Sequence, residues 1–156
     1  MPRANNQQIK LNDLVESVHD LFKESKNSDI LLDLAEEQFY VFADKNHLMR
    51  VLNNMIKNAV EAIPDSRKGK INVSLSRDGE TAVIKVKDNG VGIPDDMKNK
   101  VFVPNFTTKN SGTGLGLAIS KNIIESVSGK IYFETEKDVG TTFFVELPIE
   151  EMVLTE

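Results

Sequence analysis

The spacing of apolar residues switches between a helical and an alternating period several times along the chain, which limits the folds open to it. Helical spacing covers 11–22, 44–63 and 115–128. Alternation covers the shorter segments 30–35, 39–43, 71–77, 81–87, 130–136 and 141–148. Since helices and antiparallel strands mix without regular βαβ units, the sequence predicts an α+β fold, a two-layer sandwich.

Charge and composition exclude several classes of partner. The chain has 156 residues, a formal net charge of -5 and no cysteine. An acidic surface disfavours nucleic acid and anionic lipid, and the lack of cysteine excludes disulfides and thiol catalysis while allowing a cytoplasmic location. No apolar run approaches about 18 residues, so we expect no membrane insertion. The length suits one domain, in which the polar residues 1–10 are expected to form a linker or tail.

Two amide side chains share one stripe of the second predicted helix, which should begin after the cap Asp44 and end at Pro64. With Leu48 at zero on a helical wheel, the apolar arc is centred at about 30°, and Asn54 and Asn58 fall at about 240° and about 280°. His47 and Glu61 lie on the same stripe. Amide oxygens beside a core edge suit a Mg²⁺ site, and the alternative is a solvated helix face.

An acidic residue continues the apolar face of the strand at 81–87. By the alternation of that strand, Asp88 points inward, and a buried carboxylate needs hydrogen-bond donors. Gly90 and Gly92 follow it and allow a sharp turn or a close approach to a ligand. The alternative is an ordinary turn aspartate.

Residues 90–113 form a long irregular stretch, and loops of that length are more often functional than idle. At its end, Gly112, Gly114 and Gly116 lead into the third helix, where free backbone N–H groups favour phosphate. The glycine spacing fits neither of the two common nucleotide-binding loops. A flexible hinge is the alternative.

A threonine opens the last predicted strand on its inward face. Thr141 shares parity with the apolar residues Phe143, Val145 and Leu147. A hydroxyl is therefore expected inside, near one end of the sheet. Most such threonines bond a neighbouring backbone group, which is the alternative to ligand binding.

Five segments in this order resemble the boxes of the GHKL superfamily, and specifically the catalytic ATP-binding domain of sensor histidine kinases. They are NNMIKNAVEA (N box), DNGVGIP (G1 box), VFVPNFTTK (F box), GTGLGLAIS (G2 box) and GTTFFVELP (a G3-type segment). The resemblance spans roughly 11–148 and implies a Bergerat-type fold. In that fold a mixed, mostly antiparallel sheet is covered on one face by three helices, beside a mobile ATP lid at about 90–113.

The same resemblance implies domain limits and a missing partner. Residues 1–10 would be the linker from a dimerisation and phosphoacceptor hairpin that this chain lacks. Residues 11–149 would be the catalytic domain, and 150–156 a C-terminal tail. The isolated domain is expected to be a monomer, because the dimer contacts belong to the hairpin.

Residue roles are carried over by position. Asn58 resembles the Mg²⁺ ligand and Asn54 its neighbour at the phosphates, while Asp88 resembles the adenine reader and Thr141 a second contact. Lys109 would add a cation to the catalytic group. The remaining residues expected to bind ATP are Gly90, Gly92, Ile93, Phe102, Phe106, Thr108, Gly112, Thr113, Gly114, Leu115, Gly116 and Leu117. Among these, Phe102 and Phe106 would anchor the lid, or else are ordinary core phenylalanines.

The implied activity is that of a protein histidine kinase. The domain would bind Mg-ATP and transfer the γ-phosphoryl to a histidine on a separate domain, with a response regulator as a further partner. Hydrolytic relatives carry a glutamate where Asn54 stands, and an amide cannot act as a base at neutral pH. We therefore hypothesise that Asn54 suppresses hydrolysis. Glu61 departs from the basic residue of many histidine kinases and resembles the NtrB- or NtrY-like subgroup.

Neither histidine of the chain fits a phosphoacceptor. His19 precedes Asp20, as in the acceptor motif, but the expected downstream proline and helical hairpin are missing, which favours packing at a helix edge. His47 is expected at the surface or at a pocket rim.

Three other functions stay open at this point: an ATP-gated conformational ATPase, a GHKL serine kinase acting as an anti-sigma factor, and a nucleotide-binding module without catalysis. Asn54 argues against the first two, and the presence of every expected nucleotide contact argues against the third.

Overall fold

The structure is a computed structural model that describes residues 4–25, 27–104 and 117–150. The α-helices in these ranges are α1 (Leu11–Phe22), α2 (Lys45–Glu61) and α3 (Ala118–Ser126), with a short 3-10 helix at Asp95–Lys100. The strands are β1 (Gln7–Lys10), β2 (Ser28–Leu34), β3 (Tyr40–Ala43), β4 (Gly69–Asp78), β5 (Thr81–Lys87), β6 (Lys130–Glu136) and β7 (Gly140–Pro148). No helix in the described ranges is both long and apolar enough to span a bilayer.

Five strands form one sheet in the order β2-β4-β5-β7-β6. The β2–β4 pair is parallel and the other three pairs are antiparallel. The predicted hairpin is present, and Asp78 pairs with Thr81 across its turn. The prediction of a mixed, mostly antiparallel sheet is therefore confirmed.

The helices cover one face of this sheet. Strands β4, β5 and β7 bury alternate side chains toward them, and the apolar stripe of α2 packs on the same core. The buried strand residues are Ile71, Val73, Leu75, Ala82, Ile84, Val86, Phe143, Val145 and Leu147. The buried α2 residues are Leu48, Val51, Leu52, Met55, Ile56 and Ala59. Because α2 also packs against α1 and α3, its polar stripe is held in a fixed orientation.

The N-terminal segment differs from the expectation of a linker. Gln7–Lys10 pairs antiparallel with Tyr40–Ala43 in a second, two-stranded sheet, and Ile9 is buried in the core. Only one of these four residues is apolar, so the alternation is too short to identify a strand. Main-chain pairing with β3, which the sequence pattern does not reveal, holds this strand in place.

Both ends of α2 follow the prediction. Asp44 caps the helix by accepting a hydrogen bond from the backbone N of His47 at 3.1 Å, and its other oxygen accepts from Asn5 N at 2.7 Å. These backbone donors, Asn5 first, hold the pKa of Asp44 below its ordinary value. At the other end, the helix stops at Glu61, before Pro64.

The third helix ends slightly earlier than predicted. Within the described residues it runs from Ala118 to Ser126, and the expected start at Leu115 lies outside them. Ser128, with φ of 64°, adopts the left-handed conformation that terminates the helix, and Gly129 N then bonds Ile124 O at 2.9 Å.

Candidate functional site

Asp88 is buried at the end of β5, as the alternation predicts, and only 5% of its surface is exposed. Its Oδ1 accepts hydrogen bonds from Gly90 N at 2.8 Å and Thr141 N at 3.2 Å. Its own backbone N donates to Thr141 O at 2.9 Å. Burial raises the pKa of the carboxyl above the ordinary value, while the bonds from Gly90 and Thr141 oppose that shift.

The two oxygens of this carboxylate have different surroundings. Both hydrogen bonds to the Asp88 side chain that the described residues supply end on Oδ1. Oδ2 therefore keeps its capacity to accept a donor from a ligand. A fixed, buried acceptor of this kind suits an exocyclic amine on a planar base.

The segment after Asp88 packs so closely on the turn between β6 and β7 that side chains are excluded. A Cβ on Gly140, whose φ is +149°, would lie 2.1 Å from Asp88 O. A Cβ on Gly92, with φ of +76°, would lie 2.5 Å from Glu136 O. Glycine is required at both positions by backbone conformation and by space.

A chain of hydroxyl contacts joins the same two segments. Thr141, which is 5% exposed, has its Oγ1 2.8 Å from Thr135 Oγ1. Thr135 Oγ1 in turn accepts from Ile93 N at 2.9 Å. The inward position predicted for Thr141 is therefore correct, and Ile93 is buried beside it.

The amide stripe of α2 leads to this loop. Val91 N donates to Ala62 O at 3.0 Å, and Gly90 lies against Ala62, so the loop after Asp88 meets the C-terminal end of α2. Asn58 lies one turn earlier, about 6 Å along the axis, and Asn54 one turn before that. Both asparagines are half-buried. The structure thus places the Asp88 loop at the C-terminal end of the helix that carries the two asparagines.

A further carboxylate flanks the amides. Glu61 Oε2 is buried and has no hydrogen bond within the described ranges, and Oε1 lies 3.9 Å from Lys57 Nζ. The described residues contain no cluster of three or more His, Asp or Glu side chains that could hold a metal alone. A cation here would rely on an amide oxygen, water and ligand oxygens, and Mg²⁺ accepts that donor set.

The predicted lid residues are only partly described. Phe102 is half-buried. The centroid of its ring lies 6.0 Å from that of the Phe133 ring and 5.6 Å from Lys121 Nζ. Leu117 is fully buried before α3. These contacts fit core packing, and a ligand role for either residue stays a prediction. The predictions for Phe106, Thr108, Lys109, Gly112, Thr113, Gly114, Leu115 and Gly116 lie outside the described residues.

Both histidines have local partners. His19 Nε2 donates to Ile30 O at 2.7 Å, which agrees with packing at the edge of α1. His47 Nε2 lies 3.9 Å from Asp44 Oδ2, and its side chain is 16% exposed. Neither geometry singles out a histidine as a reactive group.

Two residues that hold the loop were not identified from the sequence. Thr135 is one of these, although it lies on the inward parity of β6 with Ile131 and Phe133, which is the criterion that identified Thr141. Arg67 donates to backbone carbonyls of the Asp88 loop from a polar turn, and no sequence pattern marks it. Side-chain contacts between distant turns are visible only in the folded chain.

Comparison with protein families gives one match. The profile described as histidine kinase-, DNA gyrase B- and HSP90-like ATPase matches residues 43–151. Among curated proteins, sporulation kinase A of Bacillus subtilis (strain 168) is 39% identical over 113 residues, which cover 72% of this chain and 18% of that protein. The signal transduction histidine-protein kinase AtoS of Escherichia coli (strain K12) is 40% identical over 147 residues, covering 92% and 24%. This chain thus spans about a quarter or less of these two relatives.

Solved structures give a similar result. The catalytic domain of histidine kinase ThkA superposes with a TM-score of 0.82 at 36% identity, covering 92% of this chain and 95% of that one. ThkA in complex with the response regulator protein TrrA superposes with a TM-score of 0.76 at 33% identity, covering 93% and 42%.

Proposed function

Because the chain belongs to the family of histidine kinase-, DNA gyrase B- and HSP90-like ATPases, a membership that implies ATP binding, we propose that it is the catalytic domain of a histidine kinase. It binds Mg-ATP and directs the γ-phosphoryl group to a histidine of a separate phosphoacceptor domain. The relatives are much longer than this chain, so the domain acts as one part of a larger protein.

The observation that carries the proposal is the Asp88 carboxylate. Two backbone N–H groups fix its Oδ1, and Oδ2 can accept from the exocyclic amine of adenine. Guanine has a carbonyl oxygen at the equivalent position, and a carboxylate repels it. Asp88 therefore both binds adenine and selects against guanine. Thr141, hydrogen-bonded to Asp88 through its backbone, supplies a second polar group nearby.

In the proposed complex, the adenine of ATP lies at Asp88 and the phosphates extend from there along α2. Asn58, one turn from the Asp88 loop, offers an amide oxygen to Mg²⁺, and Asn54 follows at the next turn. An ion held by Asn58 would lower the negative charge on the phosphoryl group that is transferred. Amides add no negative charge beside an anionic nucleotide, which favours phosphate binding on this helix.

The chemical step needs positioning more than acid–base catalysis by this domain. The bond between the γ-phosphorus and the β–γ bridging oxygen breaks, a bond to an imidazole nitrogen of the acceptor forms, and ADP leaves. Asn54 lies where hydrolytic relatives place a glutamate, and its amide does not activate water. The γ-phosphoryl group is thereby kept for the histidine.

The proposed partners are the phosphoacceptor domain of the parent kinase and a response regulator. The ThkA complex with the response regulator TrrA supports a partner of the second kind. We place the domain in the cytoplasm, where ATP is available, and expect it to be a monomer in isolation. The name of the curated relative AtoS, a histidine-protein kinase, favours transfer to histidine over transfer to serine.

A calorimetric titration with a non-hydrolysable ATP analogue, with and without Mg²⁺, tests nucleotide binding. The wild-type domain should bind more tightly with Mg²⁺, and Asn58→Ala should lose most of that gain, about tenfold in affinity. Asn72→Ala, on the opposite face of the sheet, is the control and should bind like the wild type. A folded wild-type domain that does not bind would refute the proposal.

A second experiment tests the acceptor. Radiolabelled ATP is incubated with this domain and the phosphoacceptor domain of the parent kinase, and the product is exposed to acid. A phosphohistidine loses its label in acid, whereas a phosphoserine keeps it. Acid-stable label would contradict the histidine kinase and favour the serine kinase alternative.

A further inference from the structure

Arg67 lies in the turn between α2 and β4 and contacts the loop that carries Asp88. Its Nη1 donates to Asn89 O at 2.6 Å and to Gly90 O at 3.2 Å. The same nitrogen donates to Asp138 O, also at 3.2 Å, in the turn between β6 and β7. Hydrogen bonds from a guanidinium are stronger than those from a neutral donor. One side chain thus joins the segment after Asp88 to the turn before Thr141.

The two segments joined by Arg67 have one direct backbone bond near it. Asp138 N donates to Val91 O at 2.7 Å, and Asp138 itself has a φ of 65°. A non-glycine residue in this conformation is held there by its surroundings. The carbonyl of that same residue is the one that Arg67 contacts, so Arg67 helps to hold the turn in this conformation.

The Asp88 loop is also attached to the start of β4, close to Arg67 in sequence. Lys70 N donates to Asn89 Oδ1 at 2.7 Å, and Asn89 Nδ2 donates to Lys68 O at 3.1 Å. The side chains of Arg67 and Asn89 therefore connect residues 67–70 with the loop after Asp88. Arg67 is the member of this group that extends to the β6–β7 turn.

This arrangement affects the carboxylate through the backbone. Gly90 N fixes Asp88 Oδ1, and the carbonyl of Gly90 is held by Arg67. Thr141 N fixes the same oxygen from the segment that follows Asp138. Arg67 therefore holds the peptide that carries the Gly90 N donor, and it also holds the turn that leads to the Thr141 N donor.

We propose that Arg67 is a positioning residue that fixes the Asp88 carboxylate against the purine and thereby sets the preference for adenine over guanine nucleotides. The inference rests on the proposed function, because it takes Asp88 as the group that reads the base. A firmly held carboxylate accepts from adenine and repels guanine, whereas a loosened one moves away or binds water, and the preference falls.

The experiment compares the affinities of non-hydrolysable ATP and GTP analogues, with Mg²⁺, by calorimetry. Arg67→Ala should bind the ATP analogue about tenfold more weakly, the loss expected for hydrogen bonds to a charged group. Its affinity for the GTP analogue should change by less than about twofold, so the ratio of the two affinities falls. Arg67→Lys, which keeps a charged donor, should restore part of the ratio.

The matched control is Arg77→Ala. Arg77 pairs with Glu37 at 2.5 Å on the surface, about half exposed, and its removal should leave both affinities unchanged. If Arg67→Ala does not fold, Arg67→Lys carries the test, and its ratio should still fall by about threefold.

An unchanged ratio of the two affinities in a folded Arg67 variant would overturn the inference. That includes an equal loss for both analogues, which would mean that Arg67 only supports the structure of the domain. If Asp88→Asn reduces the ratio while the Arg67 variants do not, the proposed function stands and the role of Arg67 falls. A wild-type domain that binds both analogues equally would refute both.

Discussion

The loop around Asp88 and the amide stripe of α2 lie side by side but satisfy their polar groups differently. Around Asp88 the backbone itself supplies the partners, as the bonds from Gly90 N and Thr141 N show. On α2, the buried Glu61 Oε2 has no hydrogen bond among the described residues. A buried oxygen without a partner costs free energy, so this flank gains from a cation or donor that arrives with a ligand.

This difference shows how one part of a site can be preformed while a neighbouring part gains hydrogen-bond partners only when a ligand binds. The Asp88 carboxylate is held by backbone donors without a ligand, a preformed geometry that the proposed function uses to discriminate between purines. On the proposed function, the buried Glu61 Oε2 would gain a partner when a cation or donor binds beside it. The proposed function therefore assigns base selection to the preformed Asp88 loop and charge neutralisation to the α2 stripe.

The largest effect is expected where the backbone of Gly140 packs against that of Asp88. In Gly140→Ala the new Cβ would lie 2.1 Å from Asp88 O, and we expect a loss of about 4 kcal/mol in the free energy of unfolding. Gly79→Ala is the control, since its φ is +61° but no atom lies within 4 Å, and it should cost about 1 kcal/mol. Urea denaturation measures both. Equal losses would show that close packing at Gly140 is unimportant.

Next in size is the exchange of one atom at Asp88. In Asp88→Asn the two backbone donors keep the amide oxygen at the Oδ1 position, so the NH₂ group takes the place of Oδ2 and faces the adenine amine. Two donors then oppose each other, and affinity for an ATP analogue should fall about 100-fold. Calorimetry measures this, and circular dichroism checks the fold. Near-normal binding would exclude Asp88 as the base reader.

A smaller effect is expected on the α2 stripe. Asn54→Glu introduces a base where hydrolytic relatives have one, and steady-state ATP hydrolysis by the isolated domain should rise about tenfold. Asn53→Glu, one position along but off the stripe, is the control and should not raise it. No increase over the wild type would count against the role given to Asn54.

The smallest effect is the dependence on pH. Burial raises the pKa of Asp88, so protonation of this group stabilises the folded domain without ligand. That contribution is complete below the unfolded value, about 3.8, and is lost as pH rises through the raised pKa. Adenine binding needs the ionised form and changes in the opposite sense. Between roughly pH 4 and 7, the unfolding temperature of the wild type should fall with rising pH relative to that of Asp88→Asn. Identical pH profiles for the two proteins would contradict this prediction.

Much of this site could be predicted from local pattern. Strand alternation identifies the burial of Asp88 and Thr141, and helical spacing places Asn54 and Asn58 on one stripe, because each pattern depends on neighbours in sequence. The cap at Asp44 is local as well. The mixed, mostly antiparallel sheet covered by helices is what the family resemblance implies.

The unpredicted parts depend on contacts between distant segments. Strand β1 is nearly all polar and forms through main-chain bonds to β3, whose paired residues lie 30 or more positions away. The parallel pairing of β2 with β4 likewise leaves no periodic signal. Arg67 is one charged residue in a polar turn, and only the folded chain brings it to the carbonyls of Asn89 and Asp138.

The turn between β4 and β5 offers a practical consequence. It lies at the start of β5, whereas Asp88 follows the end of that strand, about 23 Å away. Space around Gly79 is open, and the chain has no cysteine. A single cysteine in place of the exposed Glu80 would be a unique attachment point for a fluorophore or a surface tether, remote from the base-reading end. Energy transfer to a labelled nucleotide, or attachment of this domain to a sensor chip, could then follow ligand binding.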